Sequence, residues 1–213
     1  MDNKIIVALD VDDIKKAKKL VKLLWPKVRF FKIGLEIINT GQAPELIKYI
    51  NKLGGNVFYD IKLNDIPNTV AKTARVISRL GVWGFTIHVS AGREAIRAAV
   101  YNKGRSKVIG VTILTSSNAS ISKVVQLVRM MAKEGADGVV CSAREASVVK
   151  RFGLTVITPG IRPKWAQKND QKRTTTPKEA ITAGSDYLII GRPITDSANS
   201  LEALIKIIEE IET

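Results

Sequence analysis

Asn56-Val57-Phe58-Tyr59-Asp60-Ile61-Lys62-Leu63-Asn64-Asp65-Ile66-Pro67-Asn68-Thr69 passes from an apolar run, through a cluster of charge, to a proline. Continuous apolarity rather than alternation suits a parallel strand buried on both faces. Pro67 is placed to open a helix at its first turn. Asp60, Lys62 and Asp65 stand between strand and helix. The stretch therefore reads as one unit: strand, charged turn, helix.

The unit repeats in both directions. Short apolar runs occur at Ile5-Ile6-Val7-Ala8-Leu9, Phe30-Phe31-Lys32-Ile33, Gly84-Phe85-Thr86-Ile87, Val108-Ile109-Gly110-Val111-Thr112, Gly138-Val139-Val140, Thr155-Val156-Ile157 and Tyr187-Leu188-Ile189-Ile190. With residues 56–59 they make eight. Helical periodicity fills the gaps, at 12–24, 43–53, 67–80, 91–102, 119–134, 142–151 and 176–183. In the first of these Ile14, Ala17, Val21 and Leu24 share one face, lysines cover the rest, and Asp12 and Asp13 stand where a cap belongs. The last segment puts Leu201, Leu204, Ile205, Ile208 and Ile211 on one stripe. An open doubly wound sheet and a closed barrel both fit alternating strands and helices. Eight evenly spread units favour a single (β/α)8 TIM barrel over residues 1–213.

The chain has 213 residues, with 34 Lys plus Arg against 20 Asp plus Glu, a formal net charge of +14. Its 45% apolar and 25% charged shares are those of a globular protein and exclude disorder, collagen and coiled coil. No apolar stretch approaches the roughly 18 residues of a membrane span. The N-terminus turns acidic within ten residues, unlike a signal peptide. The single cysteine, Cys141, excludes an internal disulfide and fits a reducing cytosol. One Cys and one His leave almost no room for a zinc site of the usual ligands. The charge of +14 stays open between nucleic acid, a phosphorylated metabolite and neither.

In a (β/α)8 barrel the chemistry sits at the C-terminal strand ends. Those ends carry Asp10, Lys32, Asp60 with Lys62, His88, Thr115-Ser116, Thr158-Pro159-Gly160-Ile161-Arg162 and Gly191-Arg192-Pro193. Asp60 and Lys62, two apart on a strand, share a face. Lys32 on the next strand can meet Asp60. Charge inside a barrel is costly unless paired, so an alternating ionic network is expected. It would hold an ammonium rigidly enough to protonate carbon. The turns after strands 7 and 8, where barrels often grip phosphate, offer Arg162 and Arg192 as guanidinium donors and the exposed backbone N–H of Gly191. The polar loop between Pro163 and Arg173 is long enough to close over a ligand. His88 reads as a hydrogen-bonding support, Cys141 as packing, and the lysines of 15–22 as a solvated helix face.

These residues resemble the orotidine 5′-phosphate decarboxylase family. The strongest element is Asp60-Ile61-Lys62-Leu63-Asn64-Asp65-Ile66-Pro67-Asn68-Thr69, similar to the family signature D-x-K-x-x-D-I-P-x-T. Phe31-Lys32-Ile33-Gly34, Leu114-Thr115-Ser116, Thr158 to Arg162, Asp170-Gln171-Lys172-Arg173 and Ile190 to Thr195 support it in order and spacing, over nearly the whole chain. The resemblance implies a cytoplasmic, homodimeric barrel. It would convert orotidine 5′-phosphate to UMP and carbon dioxide, in de novo pyrimidine synthesis, with no cofactor or metal. It implies that Lys62 protonates C6, that Asp60 lies beside the substrate carboxylate, and that Lys32 pairs with Asp60 and reaches the ribose. Asp10 would hold ribose hydroxyls. Thr115 or Ser116 would contact the pyrimidine. Arg162, Gln171, Gly191 and Arg192 would hold the phosphate, with Pro159 lining the same site. Asp65 and Thr69 would reach the partner subunit's site.

Two other readings compete. A magnesium-dependent sugar-phosphate lyase of the hexulose-phosphate synthase type shares the strand-3 string and the phosphate loops. Ile66-Pro67-Asn68-Thr69 and Asp170-Gln171 favour the decarboxylase. A nucleic-acid-binding protein would cluster lysines with aromatics or carry a binding module, and neither is found.

Overall fold

Eight parallel strands close into a barrel in sequence order, β1 beside β2 and so on round to β8 beside β1, in a computed structural model that describes residues 4–113, 120–166 and 174–212. The strands are β1 (Ile5–Ala8), β2 (Phe30–Ile33), β3 (Asn56–Leu63), β4 (Gly84–His88), β5 (Lys107–Val111), β6 (Gly138–Val140), β7 (Thr155–Thr158) and β8 (Tyr187–Ile190). The helices are α1 (Ile14–Leu24), α2 (Leu35–Asn39), α3 (Ala43–Lys52), α4 (Pro67–Arg79), α5 (Arg93–Asn102), α6 (Ile121–Lys133), α7 (Ala143–Lys150), α8 (Pro177–Thr182), α9 (Arg192–Thr195) and α10 (Ser200–Glu212). Thr115, Ser116 and Gln171 lie outside the described residues.

The period of two along each strand sorts side chains into two cores. Ile6, Ala8, Phe58, Ile109, Ile157 and Ile189 pack inside the barrel. Their strand neighbours, among them Val7, Phe31, Val57 and Phe85, point outward against the helices. Both faces are thus dry, which is why the strands read as continuous apolar runs. At the N-terminal mouth Phe30, Trp83 and Tyr187 meet pairwise with ring centroids 5.1–5.3 Å apart. Polar residues gather at the opposite mouth.

Helix ends follow their caps. α1 begins after Asp13, whose carboxylate accepts the Lys15 N–H at 2.8 Å. Glu145 accepts the Ser142 N–H at 3.0 Å where α7 opens, and Thr176 with Glu179 opens α8 as a reciprocal capping box. Pro67 occupies the first turn of α4.

Three features differ from expectation. β3 runs one residue beyond the expected end at Lys62, to Leu63, because Leu63 pairs again with Ile87 beyond an irregularity. α2 and α9 follow β2 and β8 directly and are too short, at five and four residues, to show a period. A 3₁₀ turn at Val89–Ala91 precedes α5, which starts at Arg93 rather than 91.

Candidate active site

The C-terminal mouth of the barrel holds a cavity of about 590 Å³, within the range of small-molecule sites. Asp10, Lys32, Asp60, Lys62, Pro159, Gly160, Arg162, Gly191 and Arg192 line it. Its apolar wall comes from Ala8, Val111, Ile113, Val140 and Ile189. Residues from β1, β2, β3, β7 and β8 therefore converge as the strand-end reading anticipates.

The charges alternate along one arc. Lys32 Nζ lies 2.5 Å from Asp10 Oδ1 and 3.8 Å from Asp60 Oδ2. Lys62 Nζ lies 2.7 Å from that same Asp60 oxygen. Lys32 and Asp60 are buried, whereas Lys62 keeps 30% of its side chain exposed. The tighter partner of Lys32 is Asp10 rather than Asp60. The arc runs Asp10, Lys32, Asp60, Lys62, and Asp65 is not a member within this chain. Asp65 and Thr69 are exposed and do not line the cavity, and Asp65 accepts the N–H of Ile66 at 2.7 Å.

Gly34 permits the Asp10–Lys32 contact. A Cβ at this position would stand 2.9 Å from Asp10 Oδ1 and 3.0 Å from Lys32 Nζ. Any side chain here would displace the pair.

Lys62 is the sole non-glycine residue with positive φ among the described residues, at 53°. Left-handed backbone at such a residue costs about 1–3 kcal/mol and persists where its surroundings over-determine it. Here β3 bulges: Tyr59 pairs with Phe85 and Leu63 with Ile87, so three residues of β3 oppose Thr86 alone. The bulge re-aims Lys62 into the mouth. Thr86 fills the gap, its hydroxyl accepting the Lys62 N–H at 2.8 Å and donating to Asp60 Oδ1 at 2.9 Å.

His88, at the end of β4, is half-buried. Its burial and the nearby Lys62 charge push the imidazole below the ordinary value of 6.5, against a smaller opposite pull from Asp60. The neutral ring is thereby favoured. Cys141 is buried, and burial raises its thiol far above the ordinary range, which leaves it inert.

The other end of the cavity is built from the turns after β7 and β8. Arg162 is buried, with its Nη1 donating to the Ile161 carbonyl at 2.9 Å and its backbone N–H to the Thr175 carbonyl at 2.9 Å. Arg192 begins α9 immediately after Gly191. A smaller hollow of about 260 Å³ adjoins them, edged by Trp165 and Ser197. Two guanidinium groups at one end and the ionic arc at the other suit a ligand with an anionic tail and a polar reacting head.

Thr86 and Gly34 were not singled out by the sequence reading. Thr86 carries one available signal: it stands two positions before His88, on the same strand face. Gly34 carries another, as the smallest residue directly after a strand bearing a buried lysine.

The comparisons agree with one another. The sequence model of the family described as "Orotidine 5'-phosphate decarboxylase / HUMPS family" matches residues 3–207. Curated relatives named orotidine 5′-phosphate decarboxylase include those of Syntrophomonas wolfei, 42% identical with 98% of each chain covered, and Shewanella sediminis, 43% identical with 97% of each covered. A crystal structure of orotidine 5′-phosphate decarboxylase from Lactobacillus acidophilus superposes with a TM-score of 0.82, at 31% identity, over 100% of both chains. With sequence, barrel and solved relatives in accord over nearly the full length, this chain belongs to the orotidine 5′-phosphate decarboxylase / HUMPS family.

Proposed function

We propose that this protein decarboxylates orotidine 5′-phosphate to UMP and carbon dioxide, in de novo pyrimidine synthesis. The observation that carries the reading is the Lys62 ammonium held against Asp60 at one end of a cavity whose other end holds Arg162 and Arg192. The whole of residues 1–213 acts as one catalytic barrel domain, cytoplasmic, without a membrane, nucleic-acid, metal or cofactor partner.

In this reading Arg162 and Arg192, with Gly191 and with Gln171 from outside the described residues, hold the phosphate. Pro159 lines the same end. Asp10 and Lys32 engage the ribose hydroxyls. The pyrimidine lies against the apolar wall, with Thr115 or Ser116 at its edge. The substrate carboxylate then faces Asp60. The bond from C6 to the carboxylate carbon breaks, and its electron pair stays on C6, where no adjacent electron sink exists. A fixed ammonium at Lys62 stabilises that charge as it develops and then gives C6 a proton. Carbon dioxide leaves, and Lys62, partly open to water, regains a proton from solvent. Phosphate binding, remote from the breaking bond, contributes energy for orientation; residues 167–173 of the loop expected to close over a ligand lie outside the described residues.

Asp65 and Thr69 face solvent in the isolated chain. Their exposure beside the site, on the turn into α4, supports a homodimer in which each reaches the partner's cavity. Formation of UMP from orotidine 5′-phosphate by the purified protein in excess EDTA tests the activity. No UMP formation, together with magnesium-dependent cleavage of a hexulose phosphate, would favour the sugar-phosphate lyase instead.

A further inference from the structure

Thr86 is uncharged and fully buried, yet it touches two of the four groups in the ionic arc. Its hydroxyl has one proton and two lone pairs. The direction of each bond is forced. The Lys62 N–H can only donate, so the hydroxyl accepts there. The Asp60 carboxylate accepts, so the hydroxyl proton goes to Oδ1. That leaves Oδ2 to face Lys62 Nζ at 2.7 Å and Lys32 Nζ at 3.8 Å. One hydroxyl thus fixes the root of the lysine arm and, separately, the carboxylate that its tip contacts.

The surrounding backbone explains why a side chain is needed. Where Tyr59 and Leu63 of β3 bracket the irregularity, Thr86 is the single β4 residue opposite three. A regular ladder cannot serve the Lys62 N–H there, and its left-handed φ of 53° takes it off the ladder direction. The Thr86 hydroxyl supplies the acceptor that the bulge removes.

We propose that Thr86 is a positioning residue for the decarboxylation, locking Asp60 and Lys62 in the relative geometry the reaction uses. The proposal rests on the decarboxylase reading of the site. Asp60 clamped at Oδ1 cannot turn from an incoming substrate carboxylate, and Lys62 clamped at its backbone keeps its ammonium over C6. A catalytic group misplaced by about 1 Å costs on the order of 10²-fold in rate. Valine matches threonine in shape and supplies neither hydrogen bond.

The test compares Thr86→Val, Thr86→Ser and Thr86→Ala with wild type, each checked for folding by thermal melt. The Ser and Ala variants both lack the methyl group, so their difference isolates the hydroxyl. The expected result is a fall in kcat of about 10²-fold for Val and Ala at nearly unchanged KM, with Ser within about five-fold of wild type. If Thr86→Val does not fold, the Ser and Ala pair decides. Equal kcat in Ser and Ala, a loss carried by KM, or failure of all three variants to fold would overturn the proposal. Full wild-type kcat in Thr86→Val would overturn it alone and leave the decarboxylase reading standing. Absence of turnover by the wild type would overturn both.

Discussion

Both oxygens of Asp60 are engaged, Oδ1 by Thr86 and Oδ2 by Lys62, while Lys32 is turned mainly toward Asp10. This division decides what each lysine can do. Lys32, buried and held at 2.5 Å, is a fixed positive wall; Lys62 is partly open to water, as the proposed proton donor requires. His88 stands near Lys62 and Asp60, and its own burial is the chief cause that favours its neutral ring. With its folded value below its unfolded one, protonation of His88 favours the unfolded chain, so this group costs stability as pH falls below 6.5. Because it is the sole histidine, its ring resonances can be followed without ambiguity. An NMR titration should give a midpoint below 6.5; a midpoint at or above that value contradicts the placement. That Asp10, Lys32, Asp60, Lys62, Arg162 and Arg192 gather at one mouth was readable from strand-end position; the place of Thr86 was not. The Asp10–Lys32 contact was not, since it depends on how β1 and β2 register and on the missing side chain at Gly34. The bend at Lys62 was not either, since it arises from pairing with β4.

At the scale of elements, the strand and helix order was legible because each strand is apolar on both faces and each helix on one. α2 and α9 escaped notice because one turn of helix has no period to detect. One link between helices has a definite pH dependence. Glu134, which caps the C-terminus of α6, is buried between Arg93 and Arg97 of α5, at 2.9 and 2.8 Å. Hydrogen bonds from Arg93 and then Arg97 hold its carboxyl below the ordinary value of 4.5. A depressed carboxylate contributes stability that is present above its unfolded value and is lost as pH falls through the folded one. The melting temperature of wild type should therefore exceed that of Glu134→Gln at pH 7, and the gap should shrink as pH falls below 4.5. A gap that stays constant down to pH 3 would show that the ion pairs do not couple α5 to α6.

For the whole molecule, the charge of +14 is not focused on the site. Four basic and four acidic side chains line the cavity, so its own formal balance is zero. The excess lies outside it, on surfaces such as the exposed Lys15, Lys16, Lys19 and Lys22 of α1. It acts over distance, favouring approach of an anionic nucleotide, while the cavity separates its charges into an arginine end and an ionic arc. The proposed dimer, in which Asp65 and Thr69 reach the partner's cavity, has a direct consequence. Lys62→Ala and Asp65→Ala subunits, each inactive alone, should regain activity on mixing, because a hybrid dimer carries one intact site. No recovery despite demonstrated subunit exchange would place Asp65 outside the partner's cavity.

In the proposed reaction the Lys62 ammonium protonates C6 as carbon dioxide leaves. The absorbance of orotidine 5′-phosphate should be followed on adding purified protein in excess EDTA, wild type beside Lys62→Ala. Wild type should convert the substrate rapidly to UMP, and the variant should be slower by about 10²–10⁴-fold while still binding UMP in part. Near-normal conversion by Lys62→Ala, or none by wild type, would contradict the proposed reaction.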